Sequence, residues 1–83
     1  MEKINHSPNL IAVTKSDTTV YDPPLIGIRV GTTAGDIKVR SGSDDVILVG
    51  VQVGETVYGS FNMVYSTDTT AVGMNGYQWN DLV

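Results

Sequence analysis

The stretch LIGIRVGTTAGDIKVR, residues 25–40, decides the fold class of this chain. Apolar residues alternate with other residues on both sides of the central GTTAG, and this period of two is typical of β-strands. We therefore expect strands at residues 25–30 and 36–40, joined by a turn at residues 31–35. The side chains expected to face the core are Ile26, Ile28, Val30, Ile37 and Val39.

The same pattern extends outward in both directions. Val, Ile and Thr supply 27 of the 83 residues, whereas Ala supplies three and Leu four, a composition that favours strands over helices. Further strands are expected at residues 10–14, 18–21, 46–53, 56–65 and 71–77. Residues 46–53 form the most apolar run, so we expect them to be the most buried strand, preceded by a loop at residues 41–45. Within residues 56–65, the side chains expected to share a face are Val57, Phe61, Met63 and Tyr65.

Short strands at this spacing predict an all-β fold, namely a small antiparallel β-sandwich or barrel of six to seven short strands with extended termini. We expect an N-terminal arm at residues 1–9, a β-sandwich domain at residues 10–77 and a C-terminal tail at residues 78–83. No segment approaches the roughly 20 apolar residues that span a membrane. The first ten residues lack the apolar core of a secretory signal, so we expect a soluble protein made in a cytoplasm.

Charge is sparse and unevenly distributed. The first forty residues hold five bases and four acids, and the remainder holds five acids and no base. The five bases are Lys3, Lys15, Arg29, Lys38 and Arg40. Nucleic acids and anionic membrane surfaces bind clustered Lys and Arg, so neither is an expected partner. The asymmetry is either chance on a small sample or the sign of acidic and basic edges that meet between subunits.

Few residues here could perform chemistry. His6 is the only histidine and lies in the polar arm, where no rigid surroundings would hold it near a nucleophile. Asp44 and Asp45 are the only adjacent carboxylates, and neighbours on an extended chain point opposite ways, which makes them a poor chelate for a metal. We therefore expect no catalytic residue, no cofactor and no metal.

The size of the chain predicts that it associates with other subunits. A domain of 83 residues has a thin core, and domains this small usually gain stability from disulfides, metals or partners. Cysteine is absent, which leaves partners. The residues expected at an assembly interface are Leu10, Ile11, Val13, Tyr77, Trp79, Leu82 and Val83. An alternative is a carbohydrate-binding module in which Tyr58, Tyr77 and Trp79 stack on sugar rings.

Residues 13–77 resemble one known family. The motifs that carry the likeness are VTKSD (13–17), IRVGT (28–32), AGDIKV (34–39), GVQVG (50–54) and VYSTDTTA (64–71). In these motifs the chain is similar to the small spike-base and head decoration proteins of tailed phages and gene transfer agents. Family members usually have Gly where Asp68 stands, and often a basic stretch where residues 60–63 carry no charge.

The resemblance implies a β-sandwich subunit that forms a trimer or pentamer on the capsid, without cofactor or metal. Such a subunit supports a spike or fibre, or acts as a cement protein over capsid joints. The implied partners are further copies of the chain, the major capsid protein and a spike or fibre protein, and the implied location is the surface of a phage head. A tail, baseplate or fibre component is the alternative within the virion.

Overall fold

The computed structural model describes residues 9–78, and within this range the chain forms seven strands and no helix. The strands are β1 (Asn9–Ala12), β2 (Leu25–Thr33), β3 (Gly35–Ser41), β4 (Asp44–Val51), β5 (Thr56–Phe61), β6 (Met63–Val64) and β7 (Val72–Gln78). The expected all-β class is confirmed. Because these residues form no helix at all, the described part of the chain has no helix that could cross a membrane.

The strands form two antiparallel sheets that enclose one core. Sheet A has the order β1-β7-β2-β5, and sheet B has the order β4-β3-β6. The largest fully buried side chains are Leu25, Ile28, Ile37, Val30, Val39 and Val64. Ile37 and Val39 were expected in this core, and they lie there because β3 is the central strand of its sheet. The protein is therefore a small β-sandwich, as the strand pattern predicts.

Four connections between consecutive strands of residues 9–78 pass from one sheet to the other, and two of them do so within a single residue. Ala34 alone separates β2 in sheet A from β3 in sheet B, and Asn62 alone separates β5 from β6 in the same way. The expected turn at residues 31–35 and the expected single strand at residues 56–65 are therefore wrong. In each case the strand continues but changes sheet at a corner, a device of sandwiches in which strands switch layers.

The corner at Asn62 also changes which side chains face inward. Phe61 belongs to the core cluster, but Met63, which pairs with Arg40, is buried outside that cluster. Tyr65 lies on the outer surface of sheet B, with its ring 5.0 Å from Lys38 Nζ. A strict alternation cannot continue through a corner, so the predicted common face ends there.

A β-bulge in β2 moves one predicted core residue outward. Between Leu25 and Gly27, β2 advances two residues while its neighbour β7 advances only one, so Ile26 is the extra residue in that pairing. Leu25 and Ile28 consequently face the core, and Ile26 is half-buried outside the core cluster. The strict alternation that placed Ile26 beside Ile28 fails because a bulge inverts the phase of a strand.

The most apolar run of the sequence is not the most buried strand. β4 lies at the edge of sheet B, where its only neighbour is β3, and only Val51 at its end is buried. The preceding loop is also shorter than expected: Gly42 and Ser43 form a two-residue turn, so Asp44 and Asp45 already belong to β4. Apolar composition alone does not distinguish a central strand from an edge strand.

The domain boundaries shift slightly at both ends. Asn9 belongs to β1, where it pairs with Gln78 of β7. Gln78 is therefore part of the sandwich, and its side-chain amide donates a hydrogen bond of 2.6 Å to the Pro23 carbonyl. Residues 18–21 form no strand. The backbone hydrogen bond of this segment to the rest of the sandwich runs from Tyr21 N to the Asn62 carbonyl and is 2.7 Å long.

A close backbone approach between β2 and β7 generates a test of the fold. Gly73 has a φ of 72°, and a Cβ added there would overlap the Thr32 side chain. Gly54 also has a positive φ, 86°, but a Cβ there would meet nothing within 4 Å.

We expect Gly54→Ala to lower the free energy of unfolding by about 1 kcal/mol through backbone strain alone. Gly73→Ala should cost about 2–5 kcal/mol, because overpacking adds to that strain. Urea unfolding of the two variants measures the difference. Equal losses would show that Thr32 does not approach Gly73 as closely as described.

Candidate assembly surface

One side of β4 carries main-chain groups that no strand within residues 9–78 pairs with. On the opposite side of β3, the carbonyls of Arg40 and Lys38 accept hydrogen bonds from Asn62 N and Tyr65 N, each 2.8 Å long. Each residue of an antiparallel strand directs its N–H and C=O to one side, and non-hydrogen-bonded partners direct theirs apart. Asp45 and Ile47 lie opposite Arg40 and Lys38, so their N–H and C=O groups point away from the sheet.

The side chains of β4 are apolar on both faces and largely accessible. Val46 lies opposite the buried Val39, on the inner face, yet is 43 % exposed. On the outer face, Ile47 is 46 % and Val49 is 79 % exposed. Both faces of this edge strand are therefore partly uncovered in the described chain, which leaves an apolar strip at residues 46–49.

The strip ends at a bulge. The register between β3 and β4 shifts between the pairs Ile37–Leu48 and Gly35–Val51. Gly50 adopts a φ of 66° here, and its N–H donates a 2.9 Å hydrogen bond to Asp36 Oδ1. The straight part of the edge is consequently short.

Charged residues protect natural strand edges against unwanted pairing. The charge on β4 that adjoins residues 46–49 is the carboxylate of Asp45, and other side chains of the same sheet already hold it by hydrogen bonds. Asp45 Oδ1 accepts hydrogen bonds from the Tyr65 hydroxyl at 2.8 Å and from Arg40 Nε at 3.2 Å. The hydrogen bond from Tyr65, followed by that from Arg40, lowers the pKa of Asp45, and the same Asp45 contact raises the pKa of Tyr65. Asp45 is thus held over its own sheet, and residues 46–49 contain no charge.

The opposite edge of sheet B is covered by the chain itself. Ser16 N donates to the Val64 carbonyl at 3.0 Å, and Tyr21 N bonds the carbonyl of Asn62, so residues 16–21 run along β6. Asp17 fastens this segment: its Oδ1 accepts hydrogen bonds from Ser66 N at 2.9 Å and Thr67 N at 3.0 Å, and its Oδ2 accepts one from Thr67 Oγ1 at 2.6 Å. Sheet B is therefore closed at β6 and open at β4.

A second surface lies on the outer face of sheet A. Leu10 pairs with Tyr77, Tyr77 with Gly27, and Gly27 with Tyr58, so these residues form one row across all four strands. A Cβ on Gly27 would lie 3.2 Å from Tyr77 Cδ2 and 3.3 Å from Tyr58 Cδ1, which shows that both rings pack over the glycine. Tyr58 is 78 % exposed and Leu10 59 %. The row is a continuous apolar and aromatic platform.

The structure brings together some of the sequence-predicted interface residues and separates others. Leu10 and Tyr77 are neighbours in the platform. Ile11 and Val13 instead pack against the core of their own chain, because β1 pairs with β7. Trp79, Leu82 and Val83 lie outside the described residues. The strip at residues 46–49 was missed, although its apolar sequence, bounded by Asp45 and Gly50, was visible.

Within residues 9–78, no three His, Cys, Asp or Glu side chains are grouped as metal ligands would be. His6 lies outside that range. Asp44 and Asp45 are successive residues of β4, and Asp45 is engaged with Tyr65 and Arg40 as described above.

The Asp17 contacts predict a dependence of stability on pH. The hydrogen bond from Thr67 Oγ1 contributes most to lowering the pKa of Asp17 below its ordinary value of 3.8. The ionised carboxylate therefore stabilises the fold above pH 3.8, and this stabilisation is lost as the pH falls through the lower pKa of the folded state.

Asp17→Asn should unfold more easily than the parent chain at pH 7, and the gap should close as the solution is acidified below pH 3.8. Urea titrations at a series of pH values measure the difference in free energy of unfolding between Asp17→Asn and the parent chain. Asp22→Asn, at an exposed carboxylate, is the matched control. A gap that stays constant over the whole range would contradict the ionic role of Asp17.

Comparison with protein-family models, with curated proteins and with solved structures finds no match to this chain.

Proposed function

We propose that this protein is a structural subunit of a virus particle that assembles symmetrically with copies of itself on the surface of a phage head. In this role it decorates or cements the capsid, or forms the base of a spike or fibre. It acts by burying surface and performs no reaction. Its partners are further copies of the chain, the major capsid protein and a spike or fibre protein.

The observation that carries this proposal is the uncovered edge of β4. A run of apolar edge residues that carries no charge, as residues 46–49 of β4 do, is a hazard for a protein that works alone, because it invites pairing with other chains. In a subunit of a symmetric assembly, the same edge is an interface. A capsid also presents its binding surface many times, so weak contacts between subunits add up through a high effective concentration.

Two further features support the virion role. The fold is the small β-sandwich that the resemblance to spike-base and head decoration proteins implies. Asp68, where that family usually has glycine, has a φ of 65°, the left-handed conformation that glycine adopts most easily. The turn at Asp68 therefore has the backbone geometry that the family's glycine would favour.

Self-association can be tested by placing a charge on the edge. Ile47→Lys would put a solvated ammonium in the interface, so we expect the assembly to weaken by at least about tenfold in dissociation constant. Val20→Lys is the matched control, since Val20 is 61 % exposed and lies beside the covered β6 edge. Analytical ultracentrifugation and native mass spectrometry measure both. An unchanged association state in Ile47→Lys would exclude the β4 edge as the interface.

The location on a phage head has its own test. The reading frames beside the gene should encode a major capsid protein, a portal or a fibre. The chain co-expressed with that capsid protein should sediment with the particles at a fixed stoichiometry. A chain that stays in the supernatant at every concentration would exclude capsid decoration.

A carbohydrate-binding module is the second candidate, and the tyrosine platform favours it. Tyr58 and Tyr77 present rings on one flat face, and Arg29 and Asn75 are paired in the next row of the same face. Sugar rings stack on aromatic side chains while polar groups bind their hydroxyls. Glycan-array binding by the monomer, abolished in Tyr58→Ala, would favour this function over the virion role. No binding at millimolar glycan would remove it.

A further inference from the structure

We propose that two copies of this chain pair through β4 in antiparallel register, with Ile47 of each copy on the two-fold axis, so that the two sheets B become one six-stranded sheet. This inference rests on the proposed self-assembly and specifies its contact. The occupant of the β4 edge is thus a second copy of the same strand.

The main chain limits the possible registers. Asp45 and Ile47 direct their N–H and C=O groups outward, so a partner strand must bring its own outward-directed residues opposite them. With Ile47 opposite Ile47 of the second copy, the two residues exchange a pair of hydrogen bonds. Asp45 then lies opposite Val49, and Val46 opposite Leu48. This register places all four residues of the strip, 46–49, within the contact.

The charges select the antiparallel direction. Both acids of β4, Asp44 and Asp45, are at its first two positions, and no base follows them in the strand. A parallel pair would bring the acids of the two copies together, and like charges facing each other across strands are destabilising. In the antiparallel pair with Ile47 on the axis, the acids lie at opposite ends of the interface. The register with Asp45 on the axis is disfavoured for the same reason.

The other edges of the described chain offer less to a second copy. The β6 edge is covered by residues 16–21. β1 is four residues long and exposes Leu10, and Tyr58 is the one large apolar side chain that β5 exposes. β4 exposes Val46, Ile47 and Val49. Pairing of β4 with itself buries this larger set on both copies at once, because a two-fold contact uses the same patch twice.

The absence of cysteine from the chain permits a direct test. Hydrogen-bonded partners in an antiparallel pair have Cα atoms about 5.5 Å apart, within the range of a disulfide. We expect Ile47→Cys to form a disulfide-linked dimer under mild oxidation at least about tenfold faster than Val20→Cys, because pairing raises the local thiol concentration. Six molar urea should abolish the difference, since it unfolds the strands.

Val49→Cys is the matched control for register, since Val49 lies on the same face and is more exposed than Ile47. In the proposed pair the two Val49 residues are four positions apart, about 13 Å, which is too far for a disulfide. Selective cross-linking at position 47 supports the proposal. Equal cross-linking at positions 47 and 49 indicates parallel pairing and overturns it.

The remaining outcomes separate this inference from the proposed function. An oligomer without selective cross-linking at position 47 overturns β4 self-pairing and leaves symmetric assembly standing. A chain that stays monomeric also overturns the pairing. Sedimentation with capsids then decides, by itself, whether the virion role survives.

Discussion

The corners at Ala34 and Asn62 are the constraint on which the rest of this structure depends. At each corner one residue separates a strand of sheet A from a strand of sheet B, so the two sheets are tied together by the chain that runs through them. The ties bring Leu25 and Ile28 of β2 into the same core as Ile37 and Val39 of β3. The four-stranded and three-stranded layers that result do not cover each other fully, and β4 is the strand left at the margin.

The fold class could be predicted because it depends on composition and short-range alternation. The scarcity of Ala and Leu and the regular spacing of turns were sufficient for an all-β sandwich, and the alternation around Lys38 correctly placed Ile37 and Val39 inside. The failures have a common physical cause. The bulge at Ile26 and the corner at Asn62 each interrupt the period of two, and the sequence does not mark an interruption that keeps the chain extended.

The candidate surfaces were less predictable, since each depends on which strands are neighbours. Residues 46–53 looked like a central strand because a buried strand and an uncovered edge strand have the same apolar composition. The row of Leu10, Tyr77, Gly27 and Tyr58 joins four strands from distant parts of the sequence, so its existence follows from register alone. Ile11 and Val13 were expected at an assembly interface because an apolar strand can pair with a neighbouring subunit, whereas β1 pairs with β7 of its own chain and directs them towards the core.

The left-handed Gly50 limits what the apolar edge can do. Stable cross-β stacking requires about six or seven consecutive residues of high β-propensity that lie flat against identical segments. Here the uncharged straight part of the edge is only residues 46–49, between the carboxylate of Asp45 and the bulge that Asp36 fastens through Gly50 N. In the folded chain, the flat and uncharged edge that a further strand could pair with is therefore shorter than the segment that such stacking requires.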